Sequence, residues 1–220
     1  MTALTRFRLA GYARSHRAFQ PLLLLFVVIS LLYATGVPLG NELTSYADSA
    51  AILIPVFAWA ARGLLDTEPD EQRMIARTAV GPAELVSGLV AALVCNAVLA
   101  GIAVVWPLVA GFQAVPGVAT LVTGIGLHGL AVLAGTVLGA LTSRTILPSP
   151  AISIVVLIGG YVAMLMVGSS SVWAAFPAMS WMHAANHGEL AARLPVILVS
   201  AGIWVGAGLL GYAGLRRTRP

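Results

Sequence analysis

The stretch Glu84–Ala110, ELVSGLVAALVCNAVLAGIAVVWPLVA, has a charged side chain at its first position and none after it. The hydrocarbon core of a bilayer takes about 20 residues of helix. This run is long enough to cross and too apolar to be covered by water, so it reads as a transmembrane helix. The single cysteine, Cys95, lies within it, cannot form an internal disulfide, and reads as a small buried side chain.

The rest of the chain agrees with that reading. Of 220 residues, 59% are hydrophobic and 9% charged, too few charges to coat a water-soluble domain of this size. Four further segments meet the spanning length: Phe19–Thr35, Val115–Leu141, Ala151–Val167 and Leu194–Leu215. A sixth, Ala47–Ala61, is shorter and holds Pro55, which a membrane helix tolerates, with Asp48 placed at the outer interface. The first apolar run begins only at Phe19 and is not trailed by a small-residue cleavage site, so it is expected to stay as an anchor.

Orientation follows from the basic residues, all twelve of which are Arg. With six spans, eleven fall on the N-terminal side: Arg6, Arg8, Arg14, Arg17, Arg62, Arg73, Arg77, Arg144, Arg216, Arg217 and Arg219. Arg193 alone falls opposite. The positive-inside rule then places both termini in the cytoplasm of a multi-pass protein of the cytoplasmic membrane. The net charge of +4 forms no stripe suited to nucleic acid. Without Lys there is no Walker A phosphate loop, so any ATP that drives this protein is bound by another chain.

Between the second and third spans runs RGLLDTEPDEQRMIARTAVGP, Arg62–Pro82. Thr67 and Asp70 have capping-box spacing, Pro69 falls in the first turn, and Gly81-Pro82 stops the helix. Glu68, Asp70 and Glu71 crowd the N-terminal end while Arg73 and Arg77 sit toward the other, complementing the helix dipole. Met74 and Ile75 add an apolar patch that a solvated connector does not need. Ahead of the first span, Leu4–Phe19 mixes apolar residues with Arg6, Arg8, Arg14 and Arg17, the pattern of an interfacial amphipathic helix; a disordered basic tail is the alternative. The external segment Gly168–Arg193 is rich in aromatic residues, and predicts one or two short re-entrant helices broken near Pro177, with Phe176 among them and Trp173 and Trp181 at the interface. A plain aromatic-belt loop is the competing reading.

No ionisable residue sits near the middle of a predicted span, which argues against a proton relay. Asp48, Glu84 and Arg144 fall at predicted ends, where snorkelling explains them. His128 lacks a second ionisable group nearby and reads as a hydrogen-bonded packing residue. His183 and His187 are four apart, but two ligands close no metal site, and Ser169–Ser171 lack a nucleophile-elbow context. Gly135/Gly139 and Gly202/Gly206 have the spacing of close helix contacts, the face from Gly202 to Gly211 packing inside the subunit or across a dimer.

The order of parts resembles the membrane subunit of an ABC-2 type transporter. That family has a basic amphipathic helix before the first span, a coupling helix between the second and third, and short re-entrant helices before the sixth. The string EPDEQRMIARTAVGPAELVSG, residues 68–88, resembles the family's segment leading through a charged helix and a Pro turn into span three. The chain departs from it in carrying DTEPDEQR where some members begin Glu-Arg-Glu. The resemblance implies that Glu68, Asp70, Glu71, Arg73, Met74 and Arg77 dock on a separate ABC ATPase subunit, present in two copies that bind ATP and Mg. It further implies a second permease copy or paralogue and outward movement of a hydrophobic or amphipathic substrate, with no cofactor on this chain. The rival reading is a membrane-embedded enzyme or substrate-binding module using His128, His183 or His187 without an ATPase.

Overall fold

A computed structural model describes residues 2–168 and 176–218. Trp173, Ser169–Ser171 and Arg219 lie outside the described residues. Within them the chain is helical, without a strand. The elements are α1 (Thr2–Ala13), a 3-10 turn (His16–Ala18), α2 (Phe19–Tyr33), α3 (Glu42–Ile52), α4 (Ile54–Leu65), α5 (Asp70–Val80), α6 (Ala83–Ala110), α7 (Val118–Leu141), α8 (Pro150–Gly168), α9 (Ala178–Asn186) and α10 (Leu190–Thr218). Among the described residues six stretches are long and apolar enough to cross a membrane: His16–Tyr33, Glu42–Leu65, Ala83–Ala110, Val118–Leu141, Pro150–Gly168 and Leu190–Thr218.

The second span is longer than its apolar core suggests. It begins at Glu42 rather than Ala47, and consists of α3 and α4 joined at Leu53. Pro55 has no N–H to give to Ala51 O, and that carbonyl instead accepts a hydrogen bond from Tyr161 Oη of α8 at 3.2 Å. The extra turns escaped the sequence reading because their polar residues are covered by protein. Trp181 Nε1 donates to Ala47 O at 3.1 Å, and Thr44 Oγ1 donates to Ala185 O at 3.4 Å. Asp48 is thereby corrected from an interfacial residue to a partly buried one nearly two turns inside the span, its Oδ1 without a hydrogen-bond partner among the described residues.

Spans two and four form the centre. In their most apolar stretches 61% and 56% of residues are buried, against 17% and 11% in spans five and six. The close approach of α7 to α4 depends on two glycines. A Cβ on Gly135 would lie 2.5 Å from Phe57 Cβ and 2.9 Å from Ile54 O, and one on Gly139 would run into Ala58 O and Arg62 N. Asn96 of α6 ties the same pair, donating through Nδ2 to Phe57 O and to Thr136 Oγ1, both at 3.0 Å. The Gly202–Gly211 face behaves differently. Among the described residues, Gly202, Gly206 and Gly211 have open space beside them and Gly208 alone of these four meets a neighbour, Val137, so packing between described residues does not account for the other three.

The region before span six contains one described helix, α9, starting after Pro177. Trp181 is not at a lipid interface as predicted. It is fully buried, with Phe176 edge-on to it at 5.4 Å and to Trp204 at 5.2 Å. The indole is held by the Ala47 carbonyl, and an aromatic run cannot reveal whether lipid or protein covers it.

Gly139→Leu forces α7 off the α4 backbone and is expected to cost about 1–3 kcal/mol or more, read as a lower melting temperature in detergent. Gly206→Leu, facing open space, should melt with the parent protein.

Candidate functional site at the arginine-rich end of the bundle

The helix α5 is bounded by backbone chemistry rather than by the predicted capping box. Pro69 occupies the N-cap with φ −58° and ψ 153°, and no side chain caps the N-terminus. Thr67 Oγ1 instead donates to Gly63 O at 2.7 Å, closing the end of α4. Gly81, at φ +58°, turns the chain out of α5, its N–H bonded to Arg77 O at 2.9 Å.

Beneath α5 lies a buried ionic cluster centred on Arg8 of α1. Its Nε and Nη2 donate to Glu68 Oε2 at 3.0 and 2.5 Å. Nη2 also reaches Glu84 Oε1 at 2.7 Å, while Nη1 donates to Glu84 O at 2.7 Å and Ser87 Oγ at 3.0 Å. The other oxygen of Glu84, Oε2, accepts from Arg216 Nη2 at 2.7 Å, so the end of α10 joins the start of α6. Room for the guanidinium comes from Gly88, where a Cβ would sit 2.8 Å from Arg8 Nη1. Two cations and two carboxylates balance, and each buried oxygen of Glu84 has a donor.

Next to the cluster, Arg73 turns back from α5 and donates to Leu65 O at 3.2 Å, Glu68 O at 3.1 Å and Asp70 Oδ1 at 3.2 Å. Burial, followed by the neighbouring Arg216, pulls its pKa below the ordinary arginine value. Arg144, in the link between α7 and α8, donates through Nη2 to Asp70 Oδ1 at 3.1 Å and through its backbone N–H to Asp66 Oδ1 at 2.7 Å. Burial raises the pKa of Asp66, with the Arg144 N–H and the Arg62 charge opposing it. A raised carboxyl pKa means that the folded state holds the proton more tightly. Its contribution to stability therefore increases as pH falls through the folded value and stops growing below the ordinary value.

The six docking candidates thus divide. Glu68 and Arg73 face the protein, while Asp70, Glu71, Met74 and Arg77 are exposed, together with Ile75. Glu84 is corrected from a snorkelling residue to a buried one, 4% exposed. Of the four interfacial arginines, Arg8 is buried in the cluster, Arg6 and Arg14 are exposed, and Arg17 donates through Nη1 to Asp66 O at 2.6 Å. The one signal that could have marked the cluster is the small polar face Glu84, Ser87, Gly88 on one side of α6.

The histidines are elsewhere. His128 is buried, with Nδ1 2.9 Å from Gly124 O and Nε2 3.4 Å from Ser49 Oγ. His183 and His187 stack at 4.1 Å on exposed turns, and among the described residues no three His, Cys, Asp or Glu side chains are grouped to hold a metal. Comparison with protein-family models, curated proteins and solved structures finds no match.

Removing one partner leaves the others buried and unpaired. Arg8→Ala and Glu84→Ala are each expected to cost about 3–5 kcal/mol. The double variant should lose at least about 1 kcal/mol less than the sum, as a double-mutant cycle of detergent melting measures.

Proposed function

We propose that the chain is the membrane-spanning permease subunit of an ATP-driven ABC-2 type exporter. The observation that carries this reading is the two-sided character of α5. Its inner face is fastened to the bundle by Arg73 and, through Glu68 just ahead of it, by Arg8. Its outer face presents Asp70, Glu71 and Arg77 around exposed Met74 and Ile75, 61% and 67% accessible. A connector needs neither the clamp nor the exposed apolar pair, whereas a helix that takes force from a docked protein needs both. On this reading the ATPase is a partner subunit, as these 220 residues contain no Lys to form a phosphate loop.

On this reading the arginine-rich end is cytoplasmic, as the positive-inside rule requires, and both termini lie there, in the cytoplasmic membrane. Two ATPase subunits bind ATP and Mg, and two permease copies, identical or paralogous, form the path. Spans five and six, largely uncovered in the single chain, face lipid or the second copy. A hydrophobic or amphipathic substrate moves outward. Closure of the ATPases pushes α5, and the push passes into α6 through Gly81-Pro82 and into α1 and α10 through Glu84.

The pair Met74→Asp/Ile75→Asp is solvent-facing and should leave the membrane level and melting temperature intact. It is expected to abolish co-purification of a nucleotide-hydrolysing ABC subunit in mild detergent, together with stimulated ATPase activity. An ATPase retained at the parent level, with unaltered activity, contradicts the docking role.

A further inference from the structure

A second cluster of arginines lies beside the first and faces a different environment. A cavity of about 330 Å³ opens between the start of α2, the end of α4 and the beginning of α8. Arg17, Arg62 and Arg144 line it, with Asp66 the one acid among its lining residues. Asp70, outside the cavity, also accepts from Arg144 Nη2 at 3.1 Å but is shared with Arg73, so positive charge remains in excess. Asp66 is already occupied, since Oδ1 accepts the Arg144 backbone N–H at 2.7 Å and Oδ2 lies 3.6 Å from Arg62 Nε.

The arginines have donors to spare. A guanidinium carries five N–H groups in a fixed fork. Arg62 Nε and Arg144 Nε are both buried without a hydrogen-bond acceptor among the described residues. Arg62 Nε lies 3.6 Å from Asp66 Oδ2 and neither Nε has surface open to the cavity, so a phosphate there is met by the positive charge and the remaining guanidinium N–H groups.

The cavity's level in the bundle says what kind of acceptor reaches it. Arg17 stands just ahead of α2, Arg62 in the last turn of α4 and Arg144 just past α7, so the charged side sits where spans end. Trp59 and Ile154, each about one turn further into a span, form the apolar wall beneath. Tryptophan below a ring of arginines is the arrangement that meets a headgroup above and an acyl chain below.

We propose that this cavity binds the phosphate headgroup of an anionic phospholipid from the leaflet on the arginine-rich side, with the acyl chain running past Trp59 and Ile154. The arginine fork matches phosphate oxygens, and the charge excess selects an anionic over a zwitterionic headgroup. The site stands independently of the transporter reading, because the same leaflet surrounds the chain whatever it moves. A bound lipid here bridges spans one, two and five, and neutralises arginines that otherwise repel across the cavity.

The test is native mass spectrometry of the full chain in mild detergent, titrated separately with phosphatidylglycerol, phosphatidylcholine and inorganic phosphate. One phosphatidylglycerol per chain should be retained about tenfold more strongly than phosphatidylcholine, with inorganic phosphate failing to displace it. Arg144→Gln and Trp59→Ala, tested separately from Arg62→Gln in case that variant folds poorly, should each weaken retention about tenfold. Arg193→Gln, at the other end of the bundle, should not. Equal retention of the two lipids, folded variants that keep phosphatidylglycerol, or displacement by inorganic phosphate at matching concentration overturns the proposal.

Discussion

The interaction on which the arrangement depends is the contact of Arg8 with Glu84 and Glu68, completed by Arg216. Four charges from α1, the α4–α5 link, α6 and α10 meet in a space with almost no solvent. Such a cluster is a weak source of net stability, since desolvation offsets much of the Coulomb gain. Its value is geometric: each carboxylate oxygen of Glu84 has one cation to match, so few other placements of α1 and α10 leave no buried charge unpaired. Gly88 makes the same point sterically, because any side chain there would displace the guanidinium.

The proposed mechanical role of α5 builds on that constraint. The helix α5 has a buried root in Arg73 and an exposed crest in Met74 and Ile75. A displacement of the crest cannot be absorbed locally without breaking the hydrogen bonds to Leu65 O and Glu68 O. In the proposed role it passes to α1, α6 and α10 through the ionic cluster. The centre of the bundle, where Gly135 and Gly139 bring α7 against the α4 backbone, is stiff by comparison. Packed cores of this kind transmit displacement and do not absorb it. Spans five and six lie at the periphery with most of their surface uncovered in the single chain, although Arg216 ties the end of span six to Glu84.

Much of this was legible in the chain. Long apolar runs marked five spans, and the charge gradient with Gly81 marked α5 to within a residue or two. The Gly135/Gly139 spacing marked a close contact. What was not legible shares one cause: hydropathy reports how polar a residue is, not which neighbour covers it. Glu42 to Tyr46 fell outside the expected second span because hydropathy does not show that α7 and α9 cover them. Glu84 at a span end looked like a snorkelling side chain, and nothing in its local sequence names Arg8 or Arg216 as partners. Trp181 looked like a belt residue for the same reason. The resemblance made Arg73 a docking contact, but its side chain leads back to the carbonyls of Leu65 and Glu68.

In the proposed role α5 presents its outer face to a soluble ATPase on the cytoplasmic side while rooted in the buried cluster. The most direct measurement is labelling of Glu71→Cys, in a chain whose one native cysteine is removed by Cys95→Ser, with a membrane-impermeant maleimide. Labelling is expected in inverted membrane vesicles and not in intact cells, with protection when the ABC subunit is bound. Labelling of intact cells, or labelling of inverted vesicles that the bound subunit does not reduce, would contradict that role.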